Sequence, residues 1–595
     1  MPFDGFVLSA IVKELAEKIT GSFIDRVHQP AAEAVVLNLR QAKNRLRLFL
    51  SAHPVNARAH LTAEGKENPP SPPLFCLVLR KHLEGGRIRK VRQPGLDRVL
   101  ILEIEARDEM GFPAPKNLVC EIMGKHSNII LVDPRSDQII DAAKRYSHLV
   151  SRYREVLPGR PYLPPPAQNK LDPLALREEE LTRVLLEGPL ELPLRDLLPA
   201  RLDGFSKTLA KELLYRAGLP EETILDECGE YELKRIWQAL LKMVEQAREG
   251  KFDPTLVGGR NDYVDFAAFD LTHLPGPGRE KGEMNALVDR FYAWKERKEA
   301  FSAEREALLK VVRKELKRLS KKLALHKEEL KEAEEASTYR LYGELLMANL
   351  HRVEKGSAEV LLENYYDPGN GTVRIPLDPG LSPLENALAC FKKYNKTKGT
   401  IKAARKFASE AEKEIAYLSS VETALLQAHS AGDLLEIKEE LAGQGYLPKK
   451  EKKEQKKAPS PVPAPLAFTS SEGFPILVGR NNKQNDYLTM RLAGGNDLWL
   501  HAKDIPGAHV VIRTGGRAPG PAALQEAAAL AAYYSRARHS QNVPVDYTLR
   551  KNVFKPAGAR PGFVLYKEQR TIFVNPDEEL VERLKKRAEE GNAPF

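Results

Sequence analysis

The first 160 residues alternate between helical and strand-like patterns of apolar side chains. Apolar positions recur at the spacing of one helix face over 8–19, which predicts a helix. Two apolar runs, 35–39 and 46–50, are separated by a short polar turn and predict a β-hairpin. Two more runs of strand character cover 99–104 and 128–132. This part of the chain is therefore expected to fold as a mixed α/β domain.

A proline-rich stretch ends that region. Residues 157–166 read Leu-Pro-Gly-Arg-Pro-Tyr-Leu-Pro-Pro-Pro, and proline continues neither a helix nor a central strand. From 173 to 252 the pattern is helical, and 202–213 within it resembles a helix-hairpin-helix, whose tight turn points backbone N–H groups at phosphate. Ser206 stands where such a motif has its second glycine. A phosphate-binding turn and a packed helical hairpin therefore both remain open.

Two long stretches follow, 283–335 and 396–441, in which apolar residues are spaced three and four apart, as along the seam of a coiled coil. Between them lies an insert with a strand-like run at 372–375. The pattern predicts one antiparallel arm with a small domain at its tip. Fifty helical residues would extend about 75 Å at 1.5 Å per residue. Residues 448–467, rich in lysine and then in proline, predict an extended linker.

The predicted fold class is α+β with several domains, and the length of 595 residues allows roughly four at about 150 residues each. The expected divisions are an N-terminal mixed α/β domain (1–170), a helical domain (171–275), the coiled-coil arm (276–335 and 396–447), the arm-tip domain (336–395), the linker (448–467) and a C-terminal α/β domain (468–595).

Composition removes several classes of protein. The four cysteines, Cys76, Cys120, Cys228 and Cys390, are far apart and form no Cys-x-x-Cys pair, which argues against a zinc ribbon and a disulfide scaffold. The start of the chain lacks the basic region of a signal peptide, and no apolar run is long enough for a bilayer. We therefore expect a cytoplasmic protein with no membrane partner, no metal and no cofactor.

Positive charge is unevenly placed. Lys and Arg number 92 against 82 Asp and Glu, a net charge of +10, which alone decides little. The run 386–409 contains no acid but carries Lys392, Lys393, Lys396 and Lys398, and it suggests a phosphate contact near the arm tip. The seven cations within 310–322 are better explained as the solvated face of a coiled coil. Tyrosine beside arginine at 533–538 suits RNA, although Tyr533 could equally be a core residue.

Two short motifs in the first domain carry polar side chains next to strands. The pair Asp97-Arg98 precedes the predicted strand at 99–104. The segment 121–128 reads Glu-Ile-Met-Gly-Lys-His-Ser-Asn and leads into another strand. Spacing alone leaves open whether either motif binds a ligand or only stabilises a turn.

Together these and other motifs resemble the NFACT family over essentially the whole chain. The matching segments are Asp4-Gly5, Asn68-Pro69-Pro70, Arg80-Lys81-His82-Leu83, Gln93 with Asp97-Arg98, 121–128, Leu157-Pro158-Gly159, Asn386-Ala387, 479–489 and 497–510. The resemblance names the first domain NFACT-N and the last NFACT-R, an RNA-binding domain. It also implies that the first domain is similar to that of formamidopyrimidine-type DNA glycosylases.

The resemblance implies a factor in ribosome-associated quality control. Such proteins bind large (50S) ribosomal subunits that carry a stalled nascent chain as peptidyl-tRNA. They recruit aminoacyl-tRNA, which is alanyl-tRNA in bacteria, and promote addition of an untemplated alanine tail that marks the chain for proteolysis. The ribosome performs the peptide transfer, so no catalytic residue and no enzyme activity are expected. The protein RqcP is a further partner implied by the resemblance.

The resemblance also assigns roles to residues. The positions implicated in tRNA binding are Asp97, Arg98, Glu121, Ile122, Met123, Gly124 and Lys125. The positions expected to contact ribosomal RNA are Lys392, Lys393, Lys396, Lys398, Arg480 and Lys483.

Three other functions have to be weighed. A glycosylase would use Pro2 as its nucleophile, but it needs an acid next, where this chain has Phe3. Some family members have been called fibronectin-binding proteins, which would make the chain a surface adhesin. A passive RNA-binding scaffold would take no part in elongation. Fractionation and the Asp97-Arg98 pair separate the last two from the quality-control role.

Overall fold

The computed structural model describes residues 3–41, 44–108, 110–259, 262–276, 278–367, 369, 371–448 and 465–590. The chain divides into two compact units, Met1–Lys298 and Glu299–Phe595.

The first unit is built on a nine-stranded sheet. Its strands are β1 (Phe23–Ala31), β2 (Ala34–Gln41), β3 (Asn44–Ser51), β4 (Arg58–Leu61), β5 (Arg87–Arg92), β6 (Val99–Arg107), β7 (Pro113–Glu121), β8 (Asn128–Asp133) and β9 (Gln138–Ala142). The strand order is β4-β3-β2-β1-β5-β6-β7-β8-β9, and all neighbours are antiparallel. The predicted hairpin is confirmed as β2–β3, and the other two predicted strands lie within β6 and β8.

Two helices, α1 (Gly5–Ile19) and α2 (Leu74–Leu83), pack against this sheet. The helix predicted over 8–19 is confirmed as α1. Its side chains at Leu8, Ile11, Leu15 and Ile19 are fully buried, as their spacing on one face requires. The core of the unit therefore lies between α1, α2 and the sheet.

Helices follow the proline-rich stretch, as the pattern predicts. They are α3 (Glu178–Leu186), α4 (Leu194–Arg201), α5 (Lys207–Arg216) and α6 (Glu230–Arg248). Helices α4 and α5 flank the predicted hairpin turn, and their apolar side chains join the core of the first unit. A three-stranded sheet then follows, with strands β10 (Thr255–Gly259), β11 (Asp262–Ala267) and β12 (Arg279–Lys281) in the order β11-β10-β12.

Long helices dominate the next part of the chain. The elements are α7 (Met284–Ala348), β13 (Glu359–Glu363), β14 (Thr372–Pro376), α8 (Pro383–Leu426) and α9 (Ala431–Gly443). Ion pairs join Arg313 to Glu422 and Lys327 to Glu412, so α7 and α8 run antiparallel where they meet. Between them, apolar residues of the predicted seam are buried in one cluster, among them Leu308, Val312, Leu319, Leu418 and Leu425.

The bounds of these helices differ from the predicted stretches. Helix α8 begins at Pro383 rather than near 396, because Ser382 and Glu385 form a capping box around its first turn. It ends at Leu426, and a second capping box, formed by Ser430 and Asp433, starts α9. The strand predicted at 372–375 is confirmed as β14, which pairs with β13.

The last part of the second unit is an α/β fold. Its elements are β15 (Leu466–Thr469), β16 (Pro475–Val478), α10 (Asn482–Tyr487), β17 (Leu498–Ala502), β18 (Val510–Ile512), α11 (Pro521–Tyr533), β19 (Val543–Leu549), β20 (Val553–Phe554), β21 (Leu565–Tyr566), β22 (Arg570–Val574) and α12 (Glu578–Glu590). Six strands form a sheet in the order β15-β16-β18-β17-β19-β22, and β20 pairs with β21. Helices α11 and α12 bury their apolar faces on the large sheet.

Most of the predicted linker, 449–464, lies outside the described residues. Within the parts of the chain that the structure describes, no helix combines the length and apolar character needed to cross a membrane.

Candidate nucleic-acid interface

The turn of the helical hairpin packs against the beginning of α1. The Asp4 side chain caps α1 by accepting a hydrogen bond from the Val7 backbone N–H at 2.9 Å, and it also accepts one from the Ser206 hydroxyl at 2.7 Å. The Gly5 N–H donates to the Gly204 carbonyl at 3.0 Å. Gly204 has a φ of +73°, which favours glycine, and a Cβ there would lie 2.7 Å from Leu96. The turn thus contacts the chain's own Asp4 through the Ser206 hydroxyl, and Gly5 through the Gly204 carbonyl.

Asp97 and Arg98 lie in the turn between β5 and β6, and this turn is fixed to the same end of α1. The Gln93 side chain donates to the carbonyls of Gly5, at 3.0 Å, and Asp97, at 2.9 Å. The Asp97 carboxylate accepts from the Arg98 backbone N–H at 2.8 Å. Both side chains are half-buried. The pair is therefore presented on a rigid turn with part of each side chain accessible.

Two further charged residues act electrostatically on this pair. Burial raises the pKa of Asp97, and the nearby carboxylate of Asp203 raises it further. Burial lowers the pKa of Lys170, with Arg98 adding to the effect and Asp203 opposing it. Asp97, Arg98, Lys170 and Asp203 thus form a cluster of two acids and two bases. The sequence did not indicate Lys170 as a site residue because no motif surrounds it. Asp203 lies within the hairpin motif but was not predicted to act on the Asp97-Arg98 pair.

The segment 121–125 is joined directly to the pair. The Ile122 N–H donates to the Arg98 carbonyl at 2.8 Å, and the Ile122 side chain is buried. Met123 is half-buried, while Gly124, with a φ of +59°, opens the short turn Gly124–His126. Lys125 on this turn is exposed. The structure therefore brings both candidate motifs to one place, and Lys125 is the residue of 121–125 with an exposed side chain.

Glu121 is fully buried and has internal partners. Arg154 donates to both of its carboxylate oxygens, one at 2.7 Å, and the Tyr162 hydroxyl donates at 3.0 Å. Burial acts to lower the pKa of Arg154, but the hydrogen bonds and charge of Glu121 raise it above its usual range. Burial and the Glu121 charge raise the pKa of Tyr162. Glu121 thus acts on its surroundings through Arg154 and Tyr162, neither of which the sequence indicated as its partner.

The four candidate lysines of the acid-free run lie on α8. The side chains of Lys392, Lys393, Lys396 and Lys398 are all exposed, and the Lys393 ammonium lies 5.0 Å from the ring centre of Tyr339 on α7. Four exposed cations within two helical turns form a surface to which RNA phosphates can bind.

Arg480 and Lys483 lie at the start of α10 and face α9. Arg480 forms an ion pair with Asp433 at 2.9 Å, and Lys483 pairs with Glu439 at 3.1 Å. The neighbouring side chains extend this contact, since Asn482 donates to Glu440 at 2.9 Å. These ion pairs place both side chains in the contact between α10 and α9. They do not test whether the two residues also bind RNA.

Metal ligands are not gathered anywhere in the described ranges, where no group of three or more His, Cys, Asp or Glu side chains could hold an ion. Cys76 and Cys120 are buried, and burial raises the pKa of both thiols.

Replacing Asp4 with Asn tests whether the buried carboxyl group that contacts the hairpin turn takes up a proton on folding. Burial raises the pKa of Asp4 to about 6, although bonds from Ser206 and Val7 and the Arg98 charge oppose the rise. Because the folded chain binds this proton more tightly than the unfolded chain, Asp4 makes the fold more stable as pH falls from above 6 towards 4. Asn still caps the helix but does not titrate.

Relative to the wild type, the free energy of unfolding of Asp4→Asn in urea should therefore be lower at about pH 4 than at pH 7, by up to about 3 kcal/mol, or about two pKa units. The exposed Asp172→Asn serves as the control. An unchanged pH dependence would contradict a buried, protonatable Asp4.

The comparisons with known proteins cover both units. The family model described as NFACT N-terminal and middle domains matches residues 4–460, and the NFACT protein RNA binding domain matches 465–568. The chain is 42% identical over 590 residues to the Rqc2 homolog RqcH of Bacillus subtilis (strain 168), which covers 98% of this chain and 100% of that protein. The Rqc2 homolog RqcH of Streptococcus suis (strain 05ZYH33) is 36% identical over 586 residues, with the same coverage.

A solved structure of the N-terminal part of the fibronectin/fibrinogen-binding protein from Streptococcus suis aligns with a TM-score of 0.41 and 31% identity, covering 49% of this chain and 99% of that one. The family model for the N-terminal and middle domains spans most of the sequence, and the RNA-binding domain follows it almost directly. The chain, with its paired Asp97-Arg98 turn and its C-terminal RNA-binding domain, belongs to the NFACT family.

Proposed function

We propose that this protein acts in ribosome-associated quality control. It binds large ribosomal subunits that carry peptidyl-tRNA, recruits alanyl-tRNA and promotes the addition of an alanine tail without a template. Peptide transfer stays with the ribosome, and the protein supplies positioning. The observation that supports this proposal most strongly is the 42% identity to a protein named Rqc2 homolog RqcH, over 98% of this chain.

The candidate interface supports a division of labour between the two units. In the first unit, Asp97 and Arg98 are half-buried on a rigid turn that is hydrogen-bonded to Ile122. A carboxylate repels phosphate, so Asp97 is suited to accept a hydrogen bond from a base or sugar, while Arg98 can bind phosphate or a base edge. We assign tRNA binding to this turn.

The second unit offers the surface for the ribosome. Helix α8 has 44 residues and extends about 65 Å at 1.5 Å per residue. Its exposed lysines form a cationic surface without an acid between 386 and 409. An arm of paired helices suits a long contact with ribosomal RNA, and we assign that role to the surface of Lys392, Lys393, Lys396 and Lys398.

Two measurements on the full chain test the proposal. Sedimentation through sucrose gradients should place the protein with 50S subunits, and sequencing of the tRNA that co-purifies should show enrichment of alanine tRNA. Recovery in a cell-wall fraction without subunits would favour an adhesin. Subunit binding with no selected tRNA and no tail on the stalled chain would favour a passive scaffold.

Replacing Asp97 with Ala is expected to separate tRNA selection from subunit binding. Loss of one base or sugar contact costs about 1–3 kcal/mol, so recovery of alanine tRNA should fall on the order of tenfold. Co-sedimentation with 50S subunits should stay within about twofold because the contact is not to a phosphate charge. The matched control is Asp226→Ala, which removes an exposed carboxylate in the same unit. Equal recovery of tRNA by both variants would remove Asp97 from the interface.

A further inference from the structure

The loop of residues 147–153, between Tyr146 and Arg154, exposes large apolar side chains. Leu149 is 86% exposed, Val150 is 79% exposed and Tyr153 is 56% exposed. Single exposed apolar residues are common on protein surfaces, but three within five residues commonly indicate a contact. Neither sequence motifs nor the family resemblance pointed to this loop.

The loop has a defined conformation. Its base is closed by two backbone hydrogen bonds between Tyr146 and Val156, at 3.1 and 2.9 Å. Inside it, the N–H groups of Val150 and Ser151 both donate to the Ser147 carbonyl, at 2.9 and 3.1 Å. Such a turn holds Leu149 and Val150 outward, so their exposure follows from the hydrogen bonding of the loop.

The buried ion pair described above anchors this loop. Arg154 follows it immediately, donates to Glu121 and also donates to the Leu163 carbonyl at 2.6 Å. A second contact anchors the chain before the loop. The Asn128 side chain donates a hydrogen bond to the Lys144 carbonyl at 2.8 Å and accepts one from the Lys144 N–H at 2.9 Å. Glu121 and Asn128 bracket the turn Gly124–His126. The loop and that turn therefore emerge side by side.

Charge on this surface favours an anionic partner. Arg152 in the loop and Lys125 and His126 on the turn are exposed. The carboxylate of Glu155 beside the loop is paired with His148 and Arg160, each at 3.1 Å. Cations next to an exposed tyrosine and aliphatic side chains match single-stranded RNA, whose unpaired bases stack on aromatic groups while its phosphates bind cations.

We propose that the 147–153 loop and the Gly124–His126 turn form one surface that binds an unpaired segment of RNA, and that Glu121 is a positioning residue that acts on it through Arg154. Tyr153 stacks on a base, Leu149 and Val150 cover its neighbour, and Arg152 and Lys125 bind the backbone. The inference rests on the proposed function in that it takes RNA as the ligand, and it adds the contact that the exposed loop makes.

Fluorescence anisotropy of the full chain with two synthetic RNAs tests the proposal. One is a stem-loop with an unpaired loop, and the other is a fully paired duplex of equal charge. Tyr153→Ala should weaken binding of the stem-loop about tenfold, because one stacked base is lost, and should change duplex binding less than twofold. The paired variant Leu149→Ser with Val150→Ser should act in the same direction. Tyr231→Ala, which removes a 68% exposed tyrosine elsewhere in the unit, is the control.

The role of Glu121 is tested by combining variants. If it positions the loop, Glu121→Gln weakens stem-loop binding in the wild-type chain but adds nothing in the Tyr153→Ala background. A residue that only stabilises the fold would lower the unfolding midpoint in both backgrounds and leave the affinity of the folded chain unchanged.

Several results would overturn the proposal. One is equal stem-loop affinity for the loop variants and the wild type, and another is no preference of the wild type for the stem-loop over the duplex. Loop variants that lose 50S binding while keeping stem-loop affinity would assign the loop to a different contact on the subunit and would also overturn the proposal. The proposed function would still be supported if the wild-type chain sediments with 50S subunits and recovers alanine tRNA. If the wild-type chain does neither, the proposed function fails, and the stem-loop and duplex measurements still decide whether the loop binds unpaired RNA.

Discussion

Replacing Glu121 with Ala should lower the free energy of unfolding of the first unit by about 3–5 kcal/mol, the cost of leaving a buried charge without its partner. Arg154 and Glu121 are 6% and 0% exposed, so water cannot replace the lost carboxylate. Tyr162 also loses its acceptor, which adds to the cost. Urea denaturation of the full chain at neutral pH, followed by a signal from the first unit, measures the change.

The matched control removes both charges together. Glu121→Met combined with Arg154→Met replaces the pair by apolar side chains of similar size, which is often nearly neutral in stability. We expect the double variant to be more stable than Glu121→Ala although it carries more changes. A loss below about 1 kcal/mol for Glu121→Ala would mean that water or another group reaches Arg154.

Replacing Lys392, Lys393, Lys396 and Lys398 with Gln should weaken 50S binding and reduce its dependence on salt. Each phosphate contact contributes about 0.7–0.9 to the slope of log affinity against log salt, so four lost contacts should reduce the slope by about three. At low salt the affinity should fall on the order of a hundredfold or more. Co-sedimentation at several salt concentrations gives both quantities.

A second set of four lysines provides the control for net charge. Lys310, Lys314, Lys317 and Lys321 on α7 are also exposed, and their replacement with Gln removes the same charge. If they lie on a solvated face, the slope should change by less than one. Equal effects of the two sets would show that binding follows overall charge, and an unchanged slope for the α8 set would exclude a phosphate contact there.

Much of the fold could be predicted because its signals are local. The helix at 8–19 and the hairpin of β2 and β3 follow from apolar periodicity within single short segments of the chain. The early start of α8 could also have been predicted from the sequence, because Ser382-Pro383 followed by Glu385 is a helix-start signal. Periodicity of apolar residues alone passed over it.

The candidate site was predictable only in part. The motifs at 97–98 and 121–125 could be recognised in the sequence. The hydrogen bond that joins them, from the Ile122 N–H to the Arg98 carbonyl, links segments far apart in the chain, so no local sequence pattern indicates it. Arg154 lies 33 residues from Glu121, and a single arginine has no periodicity to reveal its partner. The family resemblance likewise placed Arg480 and Lys483 towards RNA without indicating the acids of α9 that pair with them.

The contact between α10 and α9 also bears on how the chain should be divided for experiments. A fragment that begins at 465 would carry Arg480 and Lys483 away from Asp433 and Glu439, and would leave Asn482 without Glu440. Such a fragment would display two cations whose charge is balanced in the whole chain, and its RNA affinity would exceed that of the domain in place. Fragments of the C-terminal domain should therefore keep α8 and α9 if their binding is to represent that of the whole chain.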